Sequence, residues 1–383
     1  MDSFIKKMNM IPLYHISKKE ILHQPFVATL FDNFHTTYQS LDMNSVEYTI
    51  EKDIHKGKQR MHEDLKNVPT VIKEWCFKHY LYDFCAYYVI RGVNIRIVFS
   101  LFSGYENILD SYRSYIPWIL HWCSIGYQYS EKRCVLPMHL HLYLTPFKKM
   151  LPVQNVILDE IHVNTAYTWN CKPSNKIVIY RLEEWFKVLI HESFHFFGFE
   201  DFKSTDDQLL KRCFPLDVPL YIGEAYGEFW ARTLTCFYCA YFIDKGLSRK
   251  NVTLNHFYRF MYIERVFSSY QAVKILKHNN IRYEDFYSDS KDAVERRKGY
   301  KENTNIFCYY ILTAVLMNEY SKMMSWCYLH NKKFFNMEIK HSHLFIDFIK
   351  KICKTSKLQH NLSVLGDIEM HDKTLRMTLI DFL

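Results

Sequence analysis

The distribution of proline is the sequence feature that most constrains how this chain can fold. All ten prolines lie between Pro12 and Pro219, and none follows in a chain of 383 residues. Proline disrupts helix interiors because it lacks an N–H donor and its ring clashes with the preceding turn. The long proline-free stretch, which also has helical periodicity, therefore predicts a mostly helical C-terminal half.

The part of the chain before residue 200 alternates between strand and helix patterns. The segment VNIRIVFSLF, which begins at Val93, has the period of two that is typical of a strand, and MHLHLYLT at 138–145 repeats it. A helix is predicted over 105–123, broken near Pro117, and another begins near Leu182. Two further short strands are predicted around 161–169 and at 176–180, before the second helix. This order of strands and helices predicts an α+β fold whose last helix packs against a twisted mixed sheet.

Composition and charge exclude several classes of partner. The hydrophobic fraction of 49% is that of a globular chain, and the net charge of +8 is spread along the sequence. The densest basic cluster consists of four lysines, fewer than a nucleic-acid-binding arm needs. No apolar run reaches the roughly 18 residues that cross a bilayer. We therefore expect neither a nucleic-acid nor a membrane partner. The four lysines are Lys350, Lys351, Lys354 and Lys357.

The cysteines indicate a compartment. There are eleven, an odd number, and they are scattered along the chain. The opening sequence MDSFIKKMNMIPLYH lacks the apolar run and the small-residue cleavage site of a signal peptide. We therefore expect reduced thiols and a cytoplasmic location.

The helix predicted from Leu182 carries the motif that points to chemistry. It contains His191-Glu192-Ser193-Phe194-His195, an HExxH. Side chains four residues apart share one face of a helix, so both imidazoles can reach one ion. Glu192 is rotated to the side, where its carboxylate can accept a proton from a water. This is the arrangement of a zinc hydrolase.

Catalytic zinc usually has three protein ligands, so a third must come from elsewhere. The first candidate is Glu224 in GEAYGEFWARTL, which opens a second apolar helix predicted over about 221–243. The second candidate is Asp201, because HESFHFFGFED also fits HExxHxxGxxD. In that alternative Gly198 lets the chain turn back toward the metal, although Gly198 is explained equally well as a helix C-cap.

The two helices together resemble the gluzincin zinc metallopeptidases. In that family an HExxH is followed by a helix bearing E-x-x-(small)-(acidic or Asn)-x-(aromatic)-Ala, and the resemblance covers about 93–245. Glycine stands here where alanine is commoner, and glutamate where aspartate or asparagine is commoner. The strand VNTAYTW and the segment KIVIYRLEEWFKVLIHE also look like metallopeptidase-like proteins of large nucleocytoplasmic DNA viruses. The residues that match the second helix are Glu224, Gly227, Glu228, Trp230 and Ala231.

The resemblance implies a zinc-dependent peptidase with a zincin-like fold. One Zn²⁺ per chain would be held by His191, His195 and Glu224, and Glu192 would accept the proton of the attacking water. In such a fold one sheet edge holds an extended peptide or protein substrate by main-chain hydrogen bonds. The strand with Asn164 and Ala166 is the candidate for that edge. The viral resemblance would place the protein in the host cytoplasm or the virion.

The domain organisation follows from these assignments. We predict an N-terminal accessory segment over 1–90, a zincin-like catalytic domain over 91–345 and a C-terminal helical tail over 346–383. The alternative function is that of a catalytically silent zincin-fold structural or virion-associated protein. Cleavage specificity and oligomeric state stay open. The transition-state oxyanion also needs a stabilising group, for which the candidates are Tyr226, Arg232, Tyr309 and Tyr310.

Overall fold

A computed structural model describes residues 25–105, 108–172, 175–243, 250–368 and 372–381. They form two compact units that interleave along the sequence. We call the first the sheet unit, which comprises 30–148 and 164–199. The second, the helical unit, comprises the described residues of 25–29, 149–163 and 200–383.

The sheet unit contains a six-stranded mixed sheet in the order β1-β2-β3-β4-β6-β5. Strands β1, β2 and β3 form an antiparallel meander, while β4 and β6 continue the sheet parallel to β3. The last strand, β5, pairs antiparallel with β6 at the edge of the sheet. The strands are β1 Glu47–Glu51, β2 Tyr80–Ile90, β3 Val93–Phe102, β4 Met138–Thr145, β5 Ala166–Tyr167 and β6 Lys176–Arg181.

Helices make up most of the remaining described structure, and all of the long ones after residue 200 belong to the helical unit. A π-helical segment, Phe307–Leu312, interrupts them. The α-helices are α1 Pro25–Gln39, α2 Ile54–Asp64, α3 Thr70–His79, α4 Leu109–Tyr129, α5 Glu160–Val163, α6 Trp185–Phe197, α7 Ser204–Cys213, α8 Ile222–Ile243, α9 Lys250–His278, α10 Lys291–Gly299, α11 Thr313–Asn318, α12 Tyr320–His330, α13 Ser342–Ile352 and α14 Ser356–Gly366.

The predicted α+β class is confirmed, since the described residues are mostly helical and contain one mixed sheet. Within the sheet unit, α6 packs on β6, β5 and α4. The apolar alternation of β3 and β4 faces a core, since Ile97 and Phe99 in β3 and Leu140 and Leu142 in β4 are at most 1% exposed. The sheet therefore provides the buried platform that the apolar helix α6 requires.

Two predicted elements are wrong in detail. The segment 161–169 is not one strand, because α5 occupies its start and only Ala166–Tyr167 forms β5. Local hydrogen bonds explain the turn: the Asp159 carboxylate accepts the Glu160 N–H, and His162 Nδ1 accepts the Asp159 N–H at 3.0 Å. The predicted break at Pro117 is also absent, since α4 continues through it with a largely buried face.

The stretch before residue 91 contributes more than the sequence indicated. Strands β1 and β2 join β3 in the same sheet, and β2 pairs along its whole length with β3. The division into two units follows contacts and does not coincide with the boundaries at 90/91 and 345/346, which stay predictions. Residues 1–24 of the predicted accessory segment lie outside the described residues.

The expectation of reduced cysteines fails for one pair. Cys134 and Cys171 form a disulfide, and their Cα atoms are 4.8 Å apart. The two residues are 37 positions apart in the sequence, so no local spacing indicates the pairing. Within the described residues, no helix combines the length and the apolar character that crossing a bilayer requires.

Candidate metal centre

Helix α6 places both histidines of the HExxH on one face. The ring centroids of His191 and His195 are 5.1 Å apart, at the i, i+4 spacing of neighbouring side chains on a helix. His191 is buried and His195 is partly exposed. Glu192, one position after the first histidine, is only 8% exposed. The helix thus holds two imidazoles and a carboxylate in a mostly apolar setting.

The end of α6 is fixed by Gly198. This residue is in the left-handed conformation with φ 68°, and its N–H closes the last turn on the carbonyls of His195 and Phe194. A Cβ at this position would lie 2.7 Å from Cys134 Sγ and 3.1 Å from Cys171 Sγ. Gly198 is therefore a helix C-cap packed against the disulfide, as one of the two sequence interpretations expected.

Helix α8 carries the first candidate for the third ligand. Its first turn is fixed by the Asp207 carboxylate, whose Oδ1 accepts the Ile222 N–H at 3.0 Å. Glu224 follows two residues later, and its Oε1 accepts a hydrogen bond of 3.1 Å from Asn305 Nδ2. Gly223 has no side chain, which leaves room for the Glu200 carboxylate. A Cβ on residue 223 would lie 3.0 Å from Glu200 Oε2.

The three residues predicted as metal ligands form one group. His191, His195 and Glu224 each offer a ligand atom, and these atoms all lie within 4.8 Å of one another. Among the described residues no other set of three or more His, Cys, Asp or Glu side chains meets this criterion, and Asp201 does not belong to the group. The choice between Glu224 and Asp201 stays a prediction that metal analysis of variants can test.

The donor set fits a zinc ion. Two imidazole nitrogens and one carboxylate oxygen are the ligands of many catalytic zinc sites, which keep a fourth position open. A tetrahedral zinc places its ligand atoms about 3.3 Å apart. The ligand atoms of the group lie within 4.8 Å of one another, so binding a single ion would draw them closer together.

Negative charge surrounds Glu224 in the helical unit. Burial and the neighbouring carboxylates, Glu224 among them, together raise the pKa of Asp207 to about 6, although the hydrogen bond from the Ile222 N–H lowers it. One turn along α8, Glu228 is 1% exposed and accepts a hydrogen bond of 2.9 Å from Arg232 Nε. Because Arg232 balances the charge of Glu228, the repulsion that a cation at Glu224 would relieve is that between Glu224 and Asp207.

The core contacts of the helical unit involve the oxyanion candidates Tyr226, Tyr310 and Arg232. Tyr226 donates to the Phe335 carbonyl at 2.9 Å, and Tyr310 donates to the Leu375 carbonyl at 2.5 Å. Arg232 is fully buried beside Glu228. Tyr309 is the least buried of the four. These contacts account for the first three as core groups.

The residues predicted to hold a substrate lie at the end of the sheet. Ala166 is part of β5 and pairs with Ile179. Asn164 precedes the strand, and its carbonyl accepts a hydrogen bond of 2.9 Å from Arg181 Nε. On its outer side β5 has no further strand within the described part of the chain. The strand is short, but it is an edge.

Two residues of this region were not foreseen. Asp207 anchors the start of α8, and Asn305 bonds Glu224 across 81 sequence positions. No motif marks either one, because both act through tertiary contacts.

Comparison of the chain with protein-family models, with curated proteins and with solved structures found no match. The gluzincin resemblance therefore rests on the residues themselves.

Proposed function

We propose that this protein is a zinc-dependent metallopeptidase with a zincin-like fold and a gluzincin ligand set. The observation that supports this most is the proximity of His191, His195 and Glu224, whose ligand atoms come within 4.8 Å of one another. A structural zinc site would be closed by four protein ligands, whereas three ligands leave a position for water or substrate.

The chain's own residues supply the remaining chemistry. A zinc ion bound at this site would polarise a peptide carbonyl and lower the pKa of water toward 7. Glu192 accepts the proton of the attacking water and then passes it to the leaving amine. Glu192 is only 8% exposed, so few other waters can reach its carboxylate while it accepts this proton. The neighbouring backbone of α6 keeps the carboxylate beside the two imidazoles.

Strand β5 offers a place for the substrate backbone. Its inner edge is paired with β6, so an extended peptide can add to its outer edge by main-chain hydrogen bonds. Such recognition depends little on side-chain identity and suits a peptide or an unfolded protein segment. Asn164 and Ala166 would flank this added strand.

The test of the function compares Glu192→Gln with wild type on an unstructured protein substrate, with new termini mapped by mass spectrometry. The amide can hydrogen-bond a water but cannot accept its proton, so we predict a loss of about 10²–10⁴-fold in turnover with zinc retained. Glu183→Gln, just before α6, is the matched control. Zinc removal by a chelator should abolish cleavage, and added zinc should restore it.

Two outcomes would contradict the proposal. Unchanged turnover in Glu192→Gln would remove this carboxylate from the mechanism. Zinc-loaded wild type that cleaves neither the protein substrate nor a random peptide library would favour the catalytically silent alternative.

A further inference from the structure

The π-helical segment Phe307–Leu312 is attached to α8 at two points in the helical unit. Asn305, just before the segment, donates from Nδ2 to Glu224 Oε1 at 3.1 Å. About two turns along α8 from Glu224, Arg232 donates to the Tyr309 carbonyl at 3.4 Å while its Nε is bonded to Glu228. π-Helical turns are rare and occur often at functional sites. This one begins beside the third candidate ligand.

The backbone around Asn305 is fixed by its own contacts. The Asn305 carbonyl accepts the Tyr309 N–H at 2.9 Å, and the Phe307 N–H is bonded to Glu302 Oε2 at 2.7 Å. Ile306 and Phe307, the next two side chains, are fully buried. The amide of Asn305 is thus presented by a rigid support rather than by an exposed loop.

We infer that Asn305 is a positioning residue for the metal centre, whose side-chain amide holds Glu224 Oε1 and leaves Oε2 to face the ion. This inference rests on the proposed zinc site. A carboxylate ligand has two oxygens and free rotation about its last bond, so a donor on one oxygen selects the orientation in which the other can bind metal. Partners of this kind typically change metal affinity by about 10–100-fold.

The competing explanation is that Asn305 only caps the helix that follows it. Asparagine and serine are equally good in that role. They differ at Glu224, because serine has no amide and its side chain is one atom shorter, so it cannot replace the Asn305 Nδ2 bond. Asn305→Ser therefore separates the two roles without adding a charge, and Asn305→Ala removes both.

The experiment measures zinc affinity of the full-length variants by competition with a zinc-binding indicator dye. We expect Asn305→Ala to bind zinc about 10–100-fold more weakly than wild type, and Asn305→Ser to bind as weakly as Asn305→Ala. Asn303→Ala is the matched control, because Asn303 lies in the same loop, is exposed and contacts Asp159 at only 3.4 Å. Its zinc affinity should equal that of wild type.

The outcomes distinguish this inference from the function on which it rests. Wild type that binds no zinc would refute the zinc site itself. Wild type that binds one zinc, with Asn305→Ala equal to Asn303→Ala, would overturn the positioning role alone. Zinc binding by Asn305→Ser at the wild-type level would also overturn it and would assign Asn305 to helix capping.

Discussion

Gly198 meets two separate constraints at the end of the HExxH helix. Its φ of 68° is a conformation in which a Cβ clashes with the following carbonyl, and the space where that Cβ would lie is occupied by the Cys134 and Cys171 sulfurs. Gly92 also has a positive φ, of 79°, but nothing lies within 4 Å of its missing Cβ. Both glycines therefore share the first constraint, and the second applies to Gly198 alone.

This difference predicts the effect of alanine at each site. Gly92→Ala should lower the free energy of unfolding by about 1 kcal/mol, the cost of a positive φ. Gly198→Ala should lower it by about 2 kcal/mol or more, because the disulfide or the end of α6 must also shift. Urea unfolding of both variants measures the difference. Equal losses would show that contact with the disulfide does not constrain residue 198.

At the scale of elements, one buried carboxylate joins α2 to the sheet. Asp64, the last residue of α2, is fully buried and accepts hydrogen bonds from His141 Nδ1 and Lys176 Nζ, each at 2.5 Å. Tyr143 on the same strand as His141 donates to it as well. Burial alone would raise the pKa of Asp64, but these hydrogen bonds more than offset it and hold the pKa far below the usual range.

A pKa lower in the folded state than in the unfolded state gives stability that is present above the unfolded value, near 3.9, and is lost as pH falls below it. Asp64→Asn should therefore lower the free energy of unfolding by about 3 kcal/mol at pH 7, and the deficit should shrink as pH falls below about 4. Asp53→Asn, which preserves the cap of α2, is the control. A deficit that is constant with pH would contradict this account.

Across the whole molecule, the sequence predicts what depends on neighbours in the chain. The i, i+4 spacing of His191 and His195 needs only a helix, and the apolar alternation of β3 and β4 needs only the period of two of a strand. The same reasoning predicts the α+β class and the helices after residue 200. These features are the ones that the structure reproduces with the smallest changes of boundary.

Features that depend on distant contacts were not predictable. The bond between Asn305 and Glu224 spans 81 positions, and the disulfide spans 37. Strand β2 is buried on both faces for part of its length, so YLYDFCAYYVI lacks the clean alternation of a half-buried strand. The two units also interleave along the chain, so no single position in the sequence separates them.

The central claim is that one zinc ion is held by His191, His195 and Glu224, and metal content after dialysis tests it most directly. Elemental analysis should find about one zinc per chain in wild type and in Asp201→Ala. Glu224→Ala should retain little zinc at micromolar free metal, because it loses a direct ligand rather than a supporting partner. Wild type that cannot be loaded with zinc would contradict the claim, and an empty Asp201→Ala beside a loaded Glu224→Ala would assign the third ligand to Asp201.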